Sequence, residues 1–131
     1  MAQVNIRAGD SLKEKTYNHV ADTRINAVTQ KVLRAARDTL GDSLDRVILF
    51  GSFARGDFDA ESDIDFLIIA NVSQEEASAS RRQIRKRLPG IDLEYDIAVC
   101  LHVTGSETFN RFKNVLPFYQ NVLREGVLLN D

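Results

Sequence analysis

The sequence predicts an α/β (α+β) fold, a small mixed β-sheet flanked by helices, as a single domain over residues 1–131. Three observations lead there. Short, continuous apolar runs alternate along the chain with longer segments in which apolar residues recur every three or four positions. The first pattern suits strands covered on both faces, and the second suits helices lying on them. Length supplies the third: 131 residues, 44% apolar and 27% charged, match one compact domain, and no repeat, linker or composition shift divides them.

Taken in order, residues 1–16 are polar, carry Gly9 and lack a period, and are expected to form a poorly ordered or extended lead-in. From Tyr17 to Leu40 the positions Ala21, Ile25, Val28, Val32, Ala36 and Leu40 form the stripe of an amphipathic helix, and Gly41 suits its left-handed end. Arg46–Phe50 is a β-branched, apolar strand that stops at Gly51. A polar loop rich in Gly, Ser and acid runs to Asp63, and Ile64–Ala70 forms the next strand. Ser73 with Glu76 three residues on spells a capping box, opening a helix that runs to Leu88 and stops at Pro89-Gly90. A third strand is expected over Leu93–Leu101. From Ser106 the pattern is helical, broken by Pro117, with Gly126 near its end.

Composition removes several function classes. Seventeen basic and nineteen acidic residues leave a formal charge of −2, so neither a strongly basic nucleic-acid coat nor a polybasic membrane tail is present, and direct nucleic-acid binding is not expected. Cys100 is the single cysteine, which excludes an intramolecular disulfide and a zinc cage of several thiolates. Apolar runs such as Phe66–Ala70 are too short to span a membrane, and Met1–Arg7 lacks the apolar core of a signal peptide. A cytoplasmic location is the expectation.

The stretch from Gly51 to Asp65 carries the chemistry. Gly51 ends a strand and Ser52 begins a turn, where backbone amides and a hydroxyl can receive phosphate and the absent Cβ allows close approach. Arg55 offers a phosphate-pairing guanidinium, though it could equally neutralise Asp57, Asp59 or Glu61. Asp63 and Asp65 stand two apart at the start of a strand, so both carboxylates share one face and need a cation between them. Magnesium, with its preference for carboxylates plus substrate phosphates, meets that need. A magnesium-bound nucleoside triphosphate would satisfy both ends of the loop. Asp92, Glu94 and Asp96 would share one face of the third strand, with Asp96 deepest and able to complete a two-ion site and accept a proton.

Other residues have plainer readings. Arg81, Arg82, Arg85, Lys86 and Arg87 read as a solvated helix face, His19 and His102 as ordinary polar or packing residues, and Cys100 as a small core residue. Phe109, Phe112, Leu116, Tyr119 and Leu123 at helical spacing read as core or partner contact.

Gly51-Ser52, a ten-residue spacer and Asp63-Ile64-Asp65 resemble the signature of the DNA polymerase β-type nucleotidyltransferase superfamily. The Ala54-Arg55-Gly56 continuation, the short length and the segment Phe118–Val127 are similar to its minimal nucleotidyltransferases, and the likeness runs from about residue 25 to 129. The resemblance implies a polymerase β-like nucleotidyltransferase fold that transfers AMP from ATP to a hydroxyl acceptor and releases pyrophosphate. It implies that Gly51 and Ser52, with Arg55 and Ser62, bind the nucleotide. Asp63, Asp65 and Asp96 would be the catalytic, metal-holding acids for two magnesium ions. It further implies an antitoxin role toward a HEPN-domain toxin whose tyrosine is the acceptor. Two alternatives stay open: a non-catalytic antitoxin or binding module of the same fold, and a small-molecule, antibiotic-type nucleotidyltransferase working as a dimer, that is, as a homo-oligomer.

Overall fold

The computed structural model describes residues 23–130. The expected lead-in over residues 1–16 and the start of the first helix, 17–22, lie outside them. The element order is α1 (Thr23–Leu40), a 3₁₀ turn (Gly41–Ser43), β1 (Leu44–Phe50), α2 (Ser52–Arg55), β2 (Ile64–Ala70), α3 (Gln74–Lys86), α4 (Ile91–Tyr95), β3 (Val99–Gly105), α5 (Ser106–Phe112), α6 (Pro117–Glu125) and β4 (Val127–Leu128). The sheet is mixed, in the order β3-β2-β1-β4. β1 runs antiparallel to both β2 and β4, whereas β2 and β3 are parallel, joined by a crossover that holds α3 and α4.

Strand alternation divides the sheet into two faces. Val47, Leu49, Phe66, Ile68, Val99 and Leu101 point to the larger core with Ile25, Val28 and Val32 of α1 and Ile84 of α3. Ile48, Leu67 and Ile69 point the other way, against Phe109 of α5 and Tyr119, Val122 and Leu123 of α6. The two central strands are apolar throughout because both of their faces are covered. Where β1 ends and β2 begins, the smaller layer leaves Asp63 exposed and Asp65 half-buried.

Local signals act as their chemistry dictates. Gly41 adopts φ +54° after α1. Ser73 caps α3 by accepting a hydrogen bond from Glu76 N at 3.1 Å, and its hydroxyl donates to Glu76 Oε1 at 3.2 Å. Helix α3 ends at Lys86, two residues before the expected Leu88. Pro117 opens α6 at its first turn, where a missing N–H is harmless. The two-residue β4 escapes any periodicity test. Asn130 extends its pairing, with Oδ1 accepting from Val47 N at 2.7 Å and Nδ2 donating to Asp45 O at 3.1 Å.

One element differs in kind from expectation. The segment expected to begin β3 is instead the helix α4, and the strand covers Val99–Gly105 rather than Leu93–Leu101. The alternating acid-apolar order of Asp92 to Asp96 imitates a strand, but the left-handed Gly90 turns the chain into a helix and Leu93 is 91% exposed. Asp96 closes that helix at φ 51°, again left-handed, and Arg24 Nη1 donates to the Tyr95 and Asp96 carbonyls at 3.4 and 3.3 Å.

Leu93→Lys is therefore expected to change stability by less than about 0.5 kcal/mol. Ile68→Ala, at a fully buried position of β2, is expected to cost about 2–5 kcal/mol. Urea unfolding of both variants checks this pair, and a severe loss in Leu93→Lys would return the segment to a buried strand.

Candidate functional site

Register sets the site. Phe50 lies opposite Asp65 across the β1/β2 ladder, and Asp65 lies opposite Cys100 across β2/β3. These three positions form a row over neighbouring strands, and alternation puts Asp63, Asp65, Cys100 and His102 on the face shared with α5 and α6. Beside the row, Gly51 turns out of β1 at φ 78° and ψ −158°, a conformation essentially reserved for glycine. A Cβ there would stand 2.6 Å from Asp65 Oδ2. The turn and the carboxylate can meet only because position 51 has no side chain.

Helix α2 starts immediately, with Ala54 N and Arg55 N both donating to Gly51 O at 3.1 Å. Its Ser52 and Phe53 N–H groups stand at the helix start, where no carbonyl of the helix can accept them. Phe53 is buried and stacks on Phe58 with ring centroids 4.3 Å apart, which fastens the turn to the larger core.

Burial pushes the Asp65 carboxyl above the usual carboxylate range, and the adjoining Asp63 charge adds to the rise. His102, Cys100 and Arg55 act the other way without cancelling it. Cys100 Sγ donates to Asp63 Oδ2 at 3.8 Å, and burial with the two carboxylates pushes this thiol up. Burial pushes His102 down, against the pull of Asp65. Two adjoining carboxylates, one of them penalised by burial, are a donor set that a hard divalent cation relieves, with water and phosphate oxygens completing its shell.

Comparison with known proteins fits this geometry. The family model described as a nucleotidyltransferase domain matches residues 30–128. The chain belongs to that family. A relative from Methanocaldococcus jannaschii, whose name proposes protein adenylyltransferase activity, is 32% identical over 100 residues, covering 76% of this chain and 92% of the relative. A second relative from that organism, with a name of the same kind, is 48% identical over 60 residues, 46% of this chain. The chain spans 59% of that second relative's length. Among solved structures, a chain of a toxin–antitoxin crystallised with AMP-PNP superposes with a TM-score of 0.53 at 22% identity, covering 77% of this chain and 71% of that one. A structure from Sulfolobus solfataricus, titled as a nucleotidyltransferase candidate, gives 0.53 at 22% identity, covering 88% of each. Both show the fold.

Within this nucleotidyltransferase domain, the sequence-predicted residues separate into two groups. Gly51, Asp63 and Asp65 come together, and Ser52 follows Gly51 as the first residue of α2. Asp96 does not join them, because it caps α4 and is exposed rather than lying deep in β3. Among the described residues no group of three or more His, Cys, Asp or Glu side chains is arranged to hold a metal. The expected three-acid site is thus reduced to the Asp63–Asp65 pair. Arg55 is held by Asp57 at 3.1 Å and Glu125 at 2.9 Å, which keeps it firmly charged and makes it a brace between the turn and α6. Ser62 Oγ accepts from Asp59 N at 2.9 Å and braces its own loop.

Cys100 is not a core residue: it faces the carboxylates. Its place opposite Asp65 follows from the β2/β3 register. Glu125, seventy residues from Arg55, has no local signature in the sequence, and the Phe53–Phe58 stack forms across a loop that shows no period. The basic run of α3 divides, with Arg81 Nε donating to Leu101 O at 2.7 Å and Arg85 pairing with Asp92 at 3.2 Å. Lys86 and Arg87 line a cavity of about 690 Å³ with Lys31, Arg34 and Arg37, in the groove between α1 and the end of α3. No described helix is long and apolar enough to cross a membrane.

Gly51→Ala is expected to cost about 1–3 kcal/mol and to displace the Asp65 carboxylate. Gly41→Ala, where a Cβ meets nothing within 4 Å, is expected to cost about 1 kcal/mol. Equal losses in parallel denaturation curves would contradict the close contact at Gly51.

Proposed function

We propose that this protein is a magnesium-dependent adenylyltransferase that moves AMP from ATP to a hydroxyl on a partner protein and releases pyrophosphate. The observation that carries the reading is the Asp63–Asp65 pair set against the side-chain-free turn at Gly51. The names of the archaeal relatives support adenylyl transfer to protein, and the AMP-PNP toxin–antitoxin structure supports a toxin as partner. On this reading the chain is a cytoplasmic antitoxin and the acceptor is a tyrosine of a HEPN-type toxin.

Gly51 and Ser52 hold the β- and γ-phosphates through the backbone of the turn, with the Ser52 hydroxyl beside them. Asp63 and Asp65 would hold a magnesium ion, which would supply charge neutralisation at the α-phosphate. Asp96, at the α4 terminus, would take no part, and among the described residues no third carboxylate joins the pair. Arg55, fixed by Asp57 and Glu125, keeps the turn in place while phosphate arrives.

The placement of Asp96 away from the pair, with no third acid among the described residues, also favours one other reading, a non-catalytic antitoxin that silences its partner by contact. Incubation with α-labelled ATP, magnesium and the product of the neighbouring gene, read by intact mass, separates the two. Added AMP units on the partner are expected, reduced about a hundredfold or more in Asp63→Asn and Asp65→Asn and kept in Asp96→Asn. A stable, unlabelled and silenced complex would establish the contact reading instead.

A further inference from the structure

Beyond the carboxylates, on the β3 side, three rings close a triangle over β2. Phe50 and His102 have centroids 5.7 Å apart, Phe50 and Phe118 lie edge to face at 5.5 Å, and His102 and Phe118 are 5.3 Å apart. Phe118 remains 41% exposed despite these contacts. At the open edge of the sheet, the triangle borders a cavity of about 290 Å³ lined by Leu67, Gln74, Arg81, His102, Phe118 and Tyr119. None of these residues was needed to place the phosphates or the metal.

We propose that this cavity, with Phe118 and His102 at its mouth, is the acceptor subsite and receives the aromatic ring that carries the acceptor hydroxyl. The inference rests on the reading that the β- and γ-phosphates lie at Gly51–Ser52. In-line displacement at phosphorus puts the entering oxygen opposite the leaving one. Pyrophosphate leaves toward β1 and α2, so the acceptor enters from β3, across the Phe50–Asp65–Cys100 row. Its oxygen bonds to the α-phosphorus as the α–β bridging P–O bond breaks. Pyrophosphate takes the electron pair, and the hydroxyl proton passes to solvent at the open sheet edge.

The lining offers a phenol a ring contact beside an ordered polar wall. Thr104 Oγ and Tyr119 Oη already bond to each other at 3.1 Å, and Gln74 Oε1 accepts from Thr104 Oγ at 3.2 Å. Arg81 Nε is engaged by Leu101 O. A phenol ring needs an edge-to-face partner, which exposed Phe118 offers.

The test is a titration of the isotope-labelled full chain with N-acetyl-tyrosinamide, followed by amide NMR in the presence of magnesium and a non-hydrolysable ATP analogue. The probe is expected to move His102, Phe118 and Tyr119 and to leave Gly51–Gly56 unchanged. Phe118→Ala should weaken the probe about tenfold, the worth of one ring contact, while the analogue still moves Gly51–Gly56 with unaltered affinity. Phe118→Tyr should restore probe binding. A probe that moves none of the three residues, or adenosine that moves them, overturns the acceptor assignment. An analogue that leaves Gly51–Gly56 unmoved removes the nucleotide reading, and the acceptor subsite with it.

Discussion

The backbone of Gly51 passes so near the Asp65 carboxylate that a single methyl group would collide with it. This contact ties the end of β1 to the start of β2, and everything at the site is measured from it. The ladder places Phe50 beside Asp65 and Asp65 beside Cys100, while the Phe53–Phe58 stack and the Arg55 ion pairs keep the following turn from moving away. The turn proposed to receive phosphate and the pair of acids thereby stand together without any long loop having to close.

Stability and chemistry occupy opposite sides of the sheet. The larger core, built on α1 and α3, buries the apolar alternation of three strands and carries most of the burial. The smaller layer of α5 and α6 covers the other face only in part, so two carboxylates can share an open sheet end with solvent. Burial still penalises Asp65, and a second negative charge stands beside it. A cation removes both penalties at once, which is the physical reason that such a pair suits magnesium and phosphate better than an empty surface.

Much of this was legible in the sequence because the decisive features are local. Ile64–Ala70 as a strand, Ser73 as a cap and the Asp63-Ile64-Asp65 spacing each follow from a few adjacent residues. The errors fall where a pattern has two physical causes. Period-two alternation over Asp92–Asp96 fits a strand, yet Gly90 and Asp96 in left-handed conformation bracket a helical turn instead. The strand starts three residues after Asp96, which leaves Asp96 outside the site, and Cys100 and His102 occupy the face expected for a third acid. Glu125, β4 and the aromatic triangle depend on contacts between distant segments, and no spacing rule reports them.

The central claim is that the Asp63–Asp65 pair, not a three-acid cluster, is the metal and phosphate centre of this nucleotidyltransferase domain. Paramagnetic broadening by Mn²⁺ in the presence of ATP, followed residue by residue in the amide spectrum, addresses it directly. A two-acid centre predicts that signals of Gly51, Ser52, Asp63–Phe66 and Cys100 are lost first, with Asp92–Asp96 little affected. Broadening that begins at Asp92–Asp96, or that spreads evenly over the acidic surface, would contradict it.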